Sequence, residues 1–215
     1  MIHMMEGKPK VDYILNMRIY FASGNDHKRI EMMRLLGGHT LVLPKDEGIA
    51  FDPEETGSTY IENAIIKAEA LYSIVHAPVL SDDSGLSVKA LGGQPGVHTA
   101  RYGDEGSDHA LSSRERYMLL LKNMEGAADR SAVFTTALCL ILDENRRYII
   151  QESCEGAIAL SPSGTSGFGY DPVFWIKEAG CISAELPEGE KDRYSHRGKA
   201  ARLMAALIEK EEGRL

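Results

Sequence analysis

Arg18-Ile19-Tyr20-Phe21-Ala22-Ser23-Gly24-Asn25-Asp26-His27-Lys28 is the stretch that decides the architecture. Its first five residues read as a buried strand, since apolar side chains run together without a break after Arg18. Ser23-Gly24-Asn25 ends that run. From Asp26 to Leu36 the spacing becomes helical, with Ile30, Met33 and Leu36 along one side. Gly37-Gly38 stops the helix, and Thr40 to Leu43 reads as a second short strand. Strand, turn, helix, strand is how an α/β fold begins.

Further along, residues 44–57 form a polar loop containing Glu54-Glu55-Thr56-Gly57. Thr59 and Glu62 have the spacing of a capping box. Tyr60, Ile61, Ala64, Ile65, Ala68, Leu71 and Tyr72 then recur at helical spacing, with Asn63 and Lys67 as neighbours beside that stripe. Pro78-Val79-Leu80 reads as a short strand running into Ser81-Asp82-Asp83-Ser84-Gly85-Leu86. A glycine-rich loop, Gly92-Gly93-Gln94-Pro95-Gly96, leads to Thr99-Ala100-Arg101-Tyr102, and residues 103–111 read as a mobile polar loop. Ser113 to Met124 is a helix by pattern. Ala132 to Leu142 and Arg147 to Glu155 read as a hairpin, with Gly156 to Leu160 continuing past a bend. His196 to Glu211 is the final helix, with Ala200, Leu203, Met204, Leu207 and Ile208 facing inward.

The bulk numbers narrow the function classes. With 215 residues, 43% hydrophobic and 26% charged, the chain has the balance of a soluble globular protein. A net charge of -8 argues against a broad nucleic-acid or membrane-adsorbing face, because both need positive surface. No apolar run approaches membrane-span length. Cys139, Cys154 and Cys181 are odd in number, far apart and without a C-x-x-C pair, which points to reduced thiols and a cytoplasmic setting.

Three groups carry chemistry. Ser23 to Lys28 lies between a strand and a helix, where unpaired N–H groups and partial positive charge attract phosphate. Alone, this turn is more simply read as a helix cap with a solvated Lys28. Glu54-Glu55 and Asp82-Asp83 offer hard oxygen donors, of which magnesium takes one or two alongside water and phosphate. A lone Asp-Asp-Ser-Gly is commonly a solvated turn, but ligands in α/β folds gather at the carboxyl ends of strands, where this pair is expected. Adjacent strand residues point to opposite sides, so the two aspartates are expected to have different jobs. The third group is Ser166-Gly167-Phe168-Gly169-Tyr170-Asp171-Pro172-Val173-Phe174 with Lys191 and Ser195-His196-Arg197-Gly198-Lys199. An aromatic face stacks on a base, and histidine and arginine donors suit a 6-oxo group while rejecting a 6-amino group.

In these residues the chain resembles the inosine triphosphate pyrophosphatase family, hydrolases of non-standard purine nucleoside triphosphates. The resemblance runs from about Arg18 to Leu207 through five ordered blocks: Ser23-Gly24-Asn25 with Lys28; Glu54-Glu55-Thr56-Gly57 with Glu62-Asn63-Ala64 and Lys67; Asp82 to Leu86; Gly93-Gln94-Pro95-Gly96 with Ala100-Arg101-Tyr102; and Phe168 to Phe174 with Ser195 to Gly198. It implies an elongated, two-lobed α/β fold around a long mixed sheet with a central cleft, and a homodimer. It implies magnesium-dependent hydrolysis of ITP, dITP and XTP to the monophosphate and pyrophosphate. Ser23, Gly24, Asn25, Asp26, His27 and Lys28 would then bind the triphosphate. Asp83 would be proton acceptor and metal-site residue, and Glu54 a metal ligand with Glu55 close by. Ser84, Phe168, Gly169, Tyr170, Asp171, Lys191, His196 and Arg197 would bind substrate, supported by Asn63 and Lys67 on the phosphate side.

The chain departs from the family pattern at Ser23, where many members have Thr, and at Val97-His98-Thr99, where an aromatic-serine pair is commoner. Residues 1–16 fall outside the resemblance as an N-terminal extension, with 17–215 expected to form a single nucleoside triphosphate pyrophosphatase domain. Rival readings are a pyrophosphatase of other modified nucleoside triphosphates, a nucleotide-binding module without catalysis, and, least in keeping with the charge, an RNA-binding protein.

Overall fold

Backbone pairing joins the predicted strands into one sheet. In the computed structural model, which describes residues 16–212, β1 (Arg18–Ala22) lies parallel to β2 (Thr40–Val42) on one side and to β3 (Val79–Val88) on the other. β4 (Ser131–Asp143), β5 (Arg146–Ile158), β6 (Phe174–Ile176) and β7 (Cys181–Ile182) continue the sheet antiparallel, in the order β2-β1-β3-β4-β5-β6-β7. The helices are α1 (Asp26–Leu36), α2 (Tyr60–Val75), α3 (Ser113–Asn123), α4 (Glu188–Tyr194) and α5 (His196–Glu212). The segment 1–16 set apart in the sequence lies outside the described residues, except for Asn16, whose side chain bonds Thr40.

The sheet is long because β4 and β5 have thirteen residues each, about 40 Å at roughly 3.3 Å per residue. That length carries two lobes. Near β1, α5 and α1 cover one face through Met32, Leu36, Ala201 and Met204 against Leu80, Leu138 and Leu140. On the other face α2 packs through Ala64, Ala68 and Leu71 against Val79, Ala137 and Cys139. At the far end Leu86, Val88, Leu120, Ala132, Ile158 and Phe174 form a separate core. Between the lobes the strands turn polar at Asp82, Asp83, Ser84 and Thr136, and the cleft opens there.

Several expectations are corrected. β3 does not end at Leu80. It runs to Val88, paired without a break from Val79 opposite Ile141 to Val88 opposite Ala132. The ladder bonds only backbone, so a polar middle does not interrupt it, and Asp82 and Asp83 are mid-strand residues rather than strand-end ones. α1 turns a different face inward: Glu31, Met32 and Leu36 are buried, while Ile30 is 52% and Met33 43% exposed. Met32 and Leu36 pack on α5, and Glu31 pairs with cations from α4 and α5, which sets the helix's rotation. On α5, Leu203 faces outward. Gly156 marks no bend. β5 passes straight through it, and the missing side chain lets the Trp175 carbonyl of β6 come close. Short β6, β7 and α4 carry too few residues to show periodicity.

Candidate functional site

Strand alternation sends Asp82 and Asp83 to opposite faces of β3. Asp83 faces α2. There the Thr59–Glu62 capping box forms as the spacing predicts and fixes the start of the helix, with Asn63 and Lys67 one turn apart. Lys67 Nζ donates to Asp83 Oδ1 at 2.7 Å and pairs with Glu55 at 2.8 Å. Asn63 accepts from the Gly57 N–H at 2.8 Å and reaches Asp83 Oδ2 at 3.5 Å. Asp82 faces α5, where Arg197 Nε donates to it at 2.6 Å and Thr136 Oγ1 at 2.9 Å. The different jobs expected of the pair follow from this geometry: Asp83 opens on the cleft and Asp82 anchors an arginine.

Asp83, Lys28, Lys67, Glu54 and Glu55 line one recess of about 660 Å³, together with Ser23, Gly24, Asn25 and Ser84. Asn25 Oδ1 caps α1, accepting from the N–H groups of His27 and Lys28, while Ser23 Oγ accepts from Asn25 N. The positive end of α1 therefore borders the recess. Lys28 lies 3.5 Å from Asp82 Oδ1. Burial lowers the Lys28 ammonium below its usual value against the pull of Asp82. Burial also pushes the Asp83 carboxyl above its ordinary value, in spite of Lys67. Lys67 shifts upward: burial opposes its charge, but Asp83 and Glu55 outweigh that.

A second recess of about 210 Å³ adjoins the first, sharing Asn25, Lys28, Ser84 and Ala100 with it. Phe168, Gly169, Tyr170, Asp171, Lys191, His196 and Arg197 line it. These residues come from α4, α5 and the loop before β6, and a buried network ties Phe168, Asp171, Lys191 and Arg197 together. Glu31 takes Lys191 on one oxygen at 2.9 Å and Arg197 on the other at 2.6 Å. Asp171 takes Lys191 at 2.7 Å, the Phe168 N–H at 2.8 Å and Ser183 Oγ at 2.7 Å. Arg197 also donates to Ser84 Oγ at 3.0 Å. Although burial works to raise Asp82, Arg197 and Lys28 hold it well below the usual carboxylate range. Burial and the Arg197 charge keep His196 well below its ordinary value, so its ring, stacked on Phe134, is neutral near pH 7.

The structure thus brings most of the sequence-predicted residues to one two-part cleft. Asp26, His27 and Asn63 line neither recess. Asp26 pairs with Lys45 at 2.6 Å on the surface, Asn63 braces Asp83 from behind, and the His27 ring stacks on Phe168 at 5.2 Å. Sequence reasoning passed over Glu31, Phe134 and Arg116, the latter two of which line the second recess. Glu31 stands three residues after Lys28 and so shares its side of α1; that pairing was the available signal.

The donor set fits magnesium. Glu54, Glu55 and Asp83 present hard carboxylate oxygens to one recess, and Glu54 has no hydrogen bond or ion pair to another of the described residues. That set suits an ion which keeps waters and phosphate oxygens and takes only one or two carboxylates.

A flat ring with an anionic tail matches the paired recesses, and the class they define is an α/β protein with a ligand cleft across its sheet. Within that class, the chain belongs to the Ham1 family, whose sequence profile matches residues 19–207. The resemblance carried by the five ordered blocks is borne out. A protein of Treponema denticola named dITP/XTP pyrophosphatase is 55% identical over 192 residues, 89% of this chain and 98% of its own length. A Thermus thermophilus protein of the same name is 42% identical, over 87% of this chain and 90% of its own. A solved HAM1 protein from Coxiella burnetii superposes with a TM-score of 0.80 at 36% identity, covering 90% of this chain and 99% of the other. The Staphylococcus aureus Ham1 protein gives 0.79 at 33% identity over the same shares. No described helix is long and apolar enough to cross a membrane.

Proposed function

We propose that this chain hydrolyses the non-standard purine nucleoside triphosphates ITP, dITP and XTP to the monophosphate and pyrophosphate, clearing them from the nucleotide pool. The observation that carries this is the continuity of the two recesses through Asn25, Lys28, Ser84 and Ala100. One nucleotide can span both, polyphosphate in the larger and base in the smaller. The dITP/XTP pyrophosphatase name of the relatives supports the same substrate class.

On this reading, Lys28 and the N-terminus of α1 hold the phosphates. Asp83 takes the proton of the attacking water. Lys67 and Asn63 keep Asp83 in place. Glu54 and Asp83 would hold Mg²⁺, with Glu55 beside them; the ion supplies charge neutralisation along the phosphates. No nucleophilic side chain is needed, because phosphoryl transfer rests on positioning and electrostatics. In the smaller recess Phe168 offers a stacking face worth about 1–3 kcal/mol. Arg197 engages Asp82, Glu31 and Ser84, which leaves two of its five N–H donors. Those donors, with Lys191 and the N–H of neutral His196, donate to a 6-oxo group, whereas a 6-amino group would set donor against donor at Arg197 and Lys191.

The proposal extends to residues 17–215 acting as one domain, to a homodimer and to the cytoplasm, where free thiols such as Cys139, Cys154 and Cys181 persist. Light scattering tests the dimer. The central test incubates the purified protein with ITP, XTP, ATP and GTP, with magnesium or with EDTA. The expected products are pyrophosphate and the monophosphate from ITP and XTP, in the magnesium arm. Release of orthophosphate, or equal turnover of ATP, would overturn the reading.

A further inference from the structure

The smaller recess has a cation that the network around Glu31 does not include. Arg116, from the first turn of α3, lines its wall from the far lobe, beside Ser113. Asp104 clamps the guanidinium through Nη2, at 2.9 Å from each carboxylate oxygen, and is itself held by the Leu111 N–H at 2.9 Å. Arg116 Nε is buried and has no hydrogen-bond partner among the described residues. An atom so enclosed cannot itself meet a ligand, but Nη1 is not enclosed, makes no hydrogen bond among the described residues, and belongs to an arginine that Asp104 holds in place. A ligand acceptor in the recess would meet the Nη1 donors.

We infer that Arg116 is a specificity-determining residue that reads the 2-position of the purine, favouring xanthine over hypoxanthine and excluding guanine. The inference rests on the proposed placement of the base. With O6 turned to Lys191, His196 and Arg197 on the α4–α5 side, C2 faces a neighbouring wall, across N1 of the ring. Xanthine carries a 2-oxo group there, an acceptor for the Nη1 N–H groups. Xanthine nucleotides also lose a ring proton near neutral pH, which places negative charge on that edge beside the guanidinium. Hypoxanthine has only a C–H at this position and leaves the donor unpaired. Guanine has an amino group, so donor meets donor.

The test compares kcat/KM for XTP, ITP and GTP in the unaltered protein, Arg116→Met and Arg116→Lys. Lysine keeps a cation for Asp104 but has no second terminal nitrogen to donate into the recess. The XTP:ITP ratio is expected to fall about tenfold in both variants, the loss of one charge-assisted hydrogen bond, while the preference against GTP relaxes. A ratio that stays within about twofold, or XTP and ITP falling by a common factor, would show Arg116 to be scaffold only. Calorimetric titration of the unaltered protein with XMP and IMP is independent of variant folding. XMP is expected to bind more tightly, and equal or tighter binding of IMP overturns the inference. Turnover of ITP and XTP with an unchanged ratio removes Arg116's role alone. Turnover of neither removes the proposed function and this inference with it.

Discussion

Replacing Glu31 by Gln should cost this protein about 3 kcal/mol. Glu31 is 7% exposed and neutralises two buried cations, Lys191 at 2.9 Å and Arg197 at 2.6 Å. Burial works to raise its carboxyl, but the charges of Arg197 and Lys191 prevail and bring it from 4.5 down to about 2. That gap, at about 1.4 kcal/mol per pH unit, corresponds to about 3 kcal/mol of folding free energy at neutral pH. Glutamine keeps the shape and loses the charge. Asp82 still balances Arg197 and Asp171 still balances Lys191, so the protein should fold but melt lower. For a chain of this length, roughly 2–4 °C per kcal/mol gives a Tm drop of about 6–12 °C. Because the folded value lies below the unfolded one, the Glu31 contribution is complete above about pH 4.5 and disappears as pH falls toward about 2. A thermal melt at pH 7 reads the Tm, and urea melts in steps from pH 7 down to pH 3 should show the unaltered protein losing its advantage over the variant below pH 4.5. A Tm within about 2 °C of the original at pH 7, or a stability gap that stays constant into acid, would refute the argument.

The remaining predictions concern the catalytic side and the α4–α5 corner. In the metal-free protein the Asp83 carboxyl should titrate above the ordinary aspartate value of 3.8, because burial outweighs the charge of Lys67; carbon-13 NMR of the carboxyl in EDTA reads it directly. A value at or below 3.8 would show that Lys67 prevails over burial there. Asp83→Asn should leave the melt intact and lower kcat by about 10²–10⁴-fold, the usual worth of a general base; pyrophosphate release at the original rate would contradict it. Gly198→Ala would drive a new Cβ into the Asp192 carbonyl where α4 meets α5. Overpacking of this kind costs about 1–3 kcal/mol, and an unchanged denaturation midpoint would show that the corner can yield.

What the linear chain determined by itself was everything that acts over one turn of helix or a few strand residues. The β1–turn–α1 opening, the Thr59 capping box and the β4–β5 hairpin were legible because capping and periodicity depend on near neighbours. The ordered blocks around Asn25, Asp83 and Phe168 likewise stood out, since core packing gives no reason for glycines, carboxylates and cations at those spacings. Only the tertiary structure decided how they meet. The Glu31 bonds to Lys191 and Arg197 join residues 160 and 166 apart in sequence, and no local pattern encodes such a distance. That pairing also rotated α1 away from its apparent apolar side. β3 kept its strand through a polar centre because β4 lay alongside to accept its backbone bonds. Arg116 joined the smaller recess because folding set α3 across the cleft from α5. Charge neutralisation, ladder pairing and cleft closure depend on proximity in space, which a chain acquires only when its distant segments have packed.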